Sequence, residues 1–168
     1  MGVYWKFKII SKGIYLTKFQ NLIMSKLAII PARGGSKRIP KKNIKHFLGK
    51  PIIAYTIENA INSKLFDEVM VSTDDDDIAK VAISYGAKVP FKRSEKNADD
   101  YATTIDVITE VISSYKNLGR KFEYASCIYP CTPLLTKEKI SESFALLIKK
   151  NLDCVFSILR YGFPIQRA

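Results

Sequence analysis

Apolar residues along this chain come in two rhythms. Short dense runs at Leu27–Ile30, Val69–Ser72, Tyr124–Tyr129 and Asp153–Leu159 read as strands, with Lys88–Phe91 a shorter one. Between them, apolar residues recur at three- and four-residue intervals, the spacing of one helical face. Ile53, Ile57, Ala60 and Ile61 mark a helix over Ile52–Ser63, with Pro51 in its first turn. A second helix is capped by Thr73 or Asp74, carries Asp75–Asp77 in its first turn, and ends near Tyr85 before Gly86. Tyr101 to about Leu118 predicts a long helix with Ile105, Ile108, Val111 and Ile112 inward, and Lys137–Lys149 predicts another. Strands alternating with helices of this length predict an α/β fold, a mainly parallel sheet with helices on both faces.

The two ends break the pattern. Residues 1–23 are basic and aromatic, and lysines interrupt every apolar run. A secretory signal needs an unbroken apolar centre of roughly 7–15 residues and a small-residue cleavage site, and neither is present. Met24 then precedes Ser25-Lys26-Leu27, so residues 1–23 are expected to be a basic extension outside the fold, and 24–168 the domain. The chain ends at Ala168, just after a strand. A sheet fold rarely stops there, which suggests an incomplete C-terminus.

Charge sharpens the picture. The chain has a formal net charge of +11. A basic stripe would suggest nucleic acid, yet the first acidic residue is Glu58, and twelve Lys and Arg precede it. From residue 58 onward the charges nearly cancel. The excess therefore sits in the first 57 residues, which favours a local anion site over a nucleic-acid surface. No stretch approaches the roughly 20 apolar residues of a membrane helix, so neither nucleic acid nor membrane is an expected partner. Three cysteines, Cys127, Cys131 and Cys154, have no metal-binding spacing, and the only histidine is His46. Reduced cysteines in a cytoplasmic protein follow.

The candidate chemistry lies in LAIIPARGGSKRIPKKN, Leu27 to Asn43. A buried strand opens at Pro31 into a turn bearing Gly34 and Gly35, then into Lys37, Arg38, Lys41 and Lys42. Glycines let the backbone come close to a ligand, and cations supply charge for a polyphosphate. The spacing is neither G-x-x-x-x-G-K-[ST] nor G-x-G-x-x-G. A solvated basic loop is the plain alternative. Cations crowded into one turn repel each other, and an anionic ligand removes that conflict. The Asp74–Asp77 run resembles a metal site, but acids in a helix's first turn are favoured by its dipole alone. Asp74, at the carboxyl end of a strand, is the one to consider further.

The stretch Ala28–Asn43, with Val71-Ser72-Thr73-Asp74 after it, resembles the acylneuraminate cytidylyltransferase family, over about Lys26–Ala168. Lys50–Tyr55, Ile128-Tyr129-Pro130 and Phe163–Ala168 are most similar to the subgroup that uses pseudaminic acid. The resemblance implies a Rossmann-like fold of the nucleotide-diphospho-sugar transferase type. It implies transfer of CMP from CTP to a nine-carbon sugar acid, with release of pyrophosphate, for surface glycan or flagellin precursors. Arg33, Lys37 and Lys42 would be catalytic. Ala32, Arg33, Ser36, Lys37, Asn43, Arg93, Asp100 and Thr104 would bind the nucleotide. Tyr129, Gln166 and Arg167 would bind the sugar, Tyr129 standing where sialic acid relatives have Gln. Mg²⁺ is the implied cofactor, with its ligands past residue 168, and a homodimer is implied for a full-length protein. A nucleotide-binding fragment without turnover, or a sialic or legionaminic acid enzyme, remains the alternative.

Overall fold

Leu27, Ala28, Ile29 and Ile30 are all fully shielded from solvent. They lie in β2 (Lys26–Pro31), the central strand of the parallel part of a five-stranded sheet. The structure, a computed structural model, describes residues 2–6 and 25–158. In chain order its elements are β1 (Gly2–Lys6), β2, β3 (His46–Phe47), β4 (Lys50–Pro51), α1 (Ile52–Asn62), β5 (Glu68–Ser72), α2 (Asp76–Ser84), α3 (Thr104–Asn117), β6 (Tyr124–Ile128), α4 (Lys137–Lys149) and β7 (Cys154–Phe156). Single 3-10 turns occupy Lys42–Ile44 and Glu95–Asn97.

The sheet order is β5-β2-β6-β1-β7, and β3 with β4 forms a small separate hairpin. β2 runs parallel to β5, with Leu27 opposite Glu68, and parallel to β6, with Leu27 opposite Ala125. Alternation along β2 builds two cores. Ala28 and Ile30 pack with Ile53, Ile57, Ile78 and Ile140 from α1, α2 and α4. Leu27 and Ile29 face the other way, onto Ile108, Val111 and Tyr115 of α3. Both faces are thus covered, which is why the central strands read as continuous apolar runs. Burying each such side chain is worth about 1.5–3 kcal/mol before entropic costs.

Several expected elements differ. Lys88–Phe91 is no strand but a single bridge from Lys88 to Met70. Lys88 exchanges hydrogen bonds with Val69 and Val71, and Pro90 then has no N–H to continue the ladder. The long helix starts at Thr104, not Tyr101, because Thr103 caps it in a box with Asp106. That start leaves Ile105 half exposed in the first turn, while Val107 takes the inward position. Pro51 stands at the N-cap position of α1, one residue before its first turn and without a capping hydrogen bond, and Ile61 faces partly outward. Asp75, not Thr73 or Asp74, caps α2 through the N–H groups of Asp77 and Ile78.

Residues 1–23 were expected outside the fold, yet β1 lies between β6 and β7 and is antiparallel to both. The β-branched and aromatic residues of Val3-Tyr4-Trp5 suit a strand, and β1 pairs the edge that β6 would otherwise leave open. Residues 7–23 lie outside the described residues.

Candidate active site

The chain runs from β2 outward to β5, then crosses back to β6 on the other side of β2. The two connections part at the carboxyl ends of β2 and β6, the place where open α/β sheets form a ligand crevice. The loop after β2 forms one wall and Tyr129–Pro133, after β6, another. The 98–103 segment leading into α3 closes the third side.

The first loop is held by the backbone and by acids. The Ala32 N–H donates to the Ser72 carbonyl at 2.9 Å, so Ala32 is buried as an extension of the sheet. The Gly34 N–H donates to Asp74 Oδ1 at 3.0 Å. A Cβ on Gly34 would stand 2.7 Å from Asp75 Oδ2 and 2.8 Å from Asp75 Cβ, so glycine is required here by close approach. Asn43 is buried, and its side-chain amide donates to the Arg33 carbonyl at 2.9 Å. Its Oδ1 accepts from Cys131 Sγ at 3.4 Å, which ties the first loop to the second. Burial raises the Cys131 thiol pKa, with Lys42 opposing.

The cations are less isolated than the sequence suggested. Asp100 bridges Arg33, at 2.6 Å, and Lys37. The Lys37 and Arg33 hydrogen bonds hold its carboxyl below the usual range. Arg33 also donates to the Asp99 carbonyl. Lys41 pairs with Asp77 at 2.8 Å, which raises the lysine pKa and lowers that of the acid. Arg38 and Lys42 make no ion pair among the described residues.

Arg93 reaches the crevice from the opposite side. It is buried, with Nε donating to Ser72 Oγ at 3.1 Å and Nη2 to the Ser72 carbonyl. Burial pulls its guanidinium below the ordinary range, and Asp74 opposes this. Thr104 Oγ1 lies 3.1 Å from the Tyr129 hydroxyl.

Two cavities meet here. One of about 260 Å³ is lined by Arg33, Asn43, Arg93, Asp100, Thr104 and Tyr129, among others. The next, of about 580 Å³, adds Ser36, Lys37 and Arg38 and shares Arg33, Lys42, Asn43 and Asp100 with the first. Ala32 supports the crevice from the core, while Gln166 and Arg167 lie outside the described residues. Tyr129 also borders a more apolar cavity of about 670 Å³ with Leu134, Leu135 and Ile140.

Sequence reasoning missed Thr56, buried on the apolar face of α1, whose hydroxyl reaches the Pro130 carbonyl at 3.2 Å and Thr132 Oγ1 at 3.1 Å. A threonine among Ile53, Ile57 and Ala60 was the available signal. Among the described residues no three His, Cys, Asp or Glu side chains gather where a metal ion could sit. Asp74 is committed to Gly34, Asp75 to the cap of α2, Asp76 to Lys92 and Asp77 to Lys41.

The family profile described as cytidylyltransferase matches residues 27–161. The chain belongs to the cytidylyltransferase family. Pseudaminic acid cytidylyltransferase of Campylobacter jejuni is 46% identical over 145 residues, 86% of this chain and 62% of that protein. CMP-N,N'-diacetyllegionaminic acid synthase of Legionella pneumophila is 41% identical over 114 residues, 68% of this chain and 49% of that protein. This cytidylyltransferase chain therefore spans under two thirds of the length of these relatives. Its fold is similar to that of CMP:2-keto-3-deoxy-manno-octonic acid synthetase complexed with CTP, at TM-score 0.64 and 23% identity over 76% of this chain and 48% of that one. Among the described residues no helix is long and apolar enough to cross a membrane.

Proposed function

We propose that this chain carries the CTP-binding crevice of an enzyme that transfers CMP to a nine-carbon sugar acid, pseudaminic acid in preference to its relatives. The observation that carries this reading is the convergence of Arg33, Lys37, Lys42, Asn43, Arg93 and Thr104 on two joined cavities at the carboxyl ends of β2 and β6. The similarity to the Campylobacter jejuni protein supports the choice of acceptor.

In this reading the sugar hydroxyl attacks the α-phosphorus, a new P–O bond forms, and the bond to the β-phosphate oxygen breaks. Pyrophosphate leaves with the electron pair, and the hydroxyl proton is lost. Arg33, Lys37 and Lys42 neutralise the charge that grows on the leaving group. Asn43 fixes the backbone from which Arg33 projects, and Arg93 and Thr104 serve the nucleoside end. Tyr129 lies between the nucleotide cavities and the apolar one, where the acceptor would enter. A divalent metal, Mg²⁺ in our reading, would screen the triphosphate. The described residues do not form a site for it, so no step is assigned to it. We place the reaction in the cytoplasm.

Pyrophosphate release from CTP in the presence of Mg²⁺, with pseudaminic, legionaminic and neuraminic acids compared, tests the reading. Pseudaminic acid is expected to give the highest rate. A flat response across the panel would remove the acceptor assignment. Because the chain spans 62% of the Campylobacter jejuni protein, a second reading is CTP binding without turnover. Calorimetric CTP binding with no pyrophosphate release would favour it.

A further inference from the structure

Among the described residues Asp100 is the one carboxylate lining the larger of the two cavities, which Arg33, Lys37, Arg38 and Lys42 also line. One of its oxygens takes Arg33 at 2.6 Å and the other takes Lys37. It comes from the 98–103 segment, across the crevice from the cationic loop. Its neighbour Asp99 folds back onto its own segment, with Oδ1 accepting from the Tyr101 N–H at 2.9 Å and the Ala102 N–H at 2.7 Å. Asp99 therefore holds the shape of the segment. Among the described residues the Asp100 carboxylate bonds only to the two cations, and its side chain is about a third exposed, 35%. One oxygen per cation is also the way two phosphate oxygens would engage the same pair.

Resting on the reading of this crevice as a nucleotide site, we propose that Asp100 is the protein's own stand-in for the ligand's phosphates. In the free protein it keeps Arg33 and Lys37 oriented into the cavity. A polyphosphate displaces it, and it returns to the pair when the polyphosphate leaves. The balance of energies permits this exchange. Ion pairs this open to solvent are individually weak, so the contacts can be given up. A polyphosphate offers several charges and a bidentate partner for arginine, which are stronger contacts. Asp100 thus sets a threshold, since an anion must carry enough charge to outbid a carboxylate for both cations. Asp99 keeps the backbone in place while the Asp100 side chain moves.

The test is direct titration of the full chain with inorganic tripolyphosphate, comparing wild type, Asp100→Asn, Asp100→Glu, Arg33→Ala and the Arg33→Ala/Asp100→Asn double variant. Removing a competing charge next to two cations should tighten binding about ten-fold in Asp100→Asn, the equivalent of about 1.4 kcal/mol. Asp100→Glu should stay near wild type. The gain should shrink in the Arg33→Ala background, since half of the contest is gone. Equal or weaker binding by Asp100→Asn, with Arg33→Ala still impaired, overturns the stand-in role and leaves the nucleotide site intact. Indifference to Arg33→Ala, or no binding by any form, overturns the nucleotide site and the stand-in role together.

Discussion

The side-chain amide of Asn43 donates to the main-chain carbonyl of Arg33 at 2.9 Å, from a position almost closed to solvent. One buried residue thereby fixes where the cationic loop turns and where the Arg33 guanidinium points. Asn43→Ala leaves the Arg33 carbonyl and the Cys131 thiol without this partner. A loss of about 1–3 kcal/mol in stability is expected, the usual cost of an unsatisfied buried group. Chemical denaturation checks it, and CTP affinity should fall in the same variant.

Gly34 is required by space. Gly34→Ala drives a methyl group to 2.8 Å from Asp75 Cβ, and Asp75 caps α2. The loop or the cap must shift, at about 1–3 kcal/mol by analogy with overpacked cores. Gly35→Ala meets nothing within 4 Å and should be far milder. Equal melting temperatures for the two variants would argue against the contact.

Glu68 is a buried carboxylate at the start of β5 that accepts hydrogen bonds from the Tyr115 hydroxyl, from Arg120 and from Lys88. Burial pushes its pKa up, but the three hydrogen bonds outweigh that and leave it lower than usual. A carboxyl more acidic in the fold than in the open chain favours folding wherever it is ionised. Its contribution is complete above the ordinary Glu range near pH 4.5 and is lost as pH falls through the lowered value. Glu68→Gln should flatten the acid side of a stability-versus-pH curve. It should also destabilise the protein by about 2–4 kcal/mol at neutral pH, since it leaves poorly matched donors. An unchanged acid limb would contradict the assignment.

Much of this was legible in the residues. Leu27–Ile30 reads as a buried strand from its unbroken apolar run bounded by Pro31, and the structure places it at the centre of the parallel part of the sheet. Lys137–Lys149 is helical over the span its spacing predicts. The cations of the loop at Ala32–Asn43 mark it in the sequence as a candidate place for an anion. Its pairing with Asp100 was not legible, because no local pattern marks two segments that meet only across a crevice. Glu68 was hidden for the opposite reason, since a charged residue at the edge of a run reads as exposed until its three donors are seen. Lys88–Phe91 failed as a strand because Pro90 outweighs the β propensity around it.

Ser126 is buried in β6, and its hydroxyl has no hydrogen-bond partner among the described residues. A buried unsatisfied hydroxyl carries a desolvation penalty, so Ser126→Ala should be neutral or stabilise by about 1 kcal/mol. A clear loss of stability on denaturation would show that the hydroxyl has a partner.

In the reading proposed above, the crevice between β2 and β6 binds CTP through the cationic loop. In the complete reaction, Arg33→Ala and Lys37→Ala should each lose about ten- to a thousand-fold in rate, as for removal of one charge-stabilising donor. Calorimetric titration of the chain with CTP, alongside Arg33→Ala and Lys42→Ala, is the most direct test. Single-site saturable binding that both substitutions weaken at least about ten-fold, some 1.4 kcal/mol, is the predicted result. No saturable binding, or an affinity that ignores both substitutions, would contradict it.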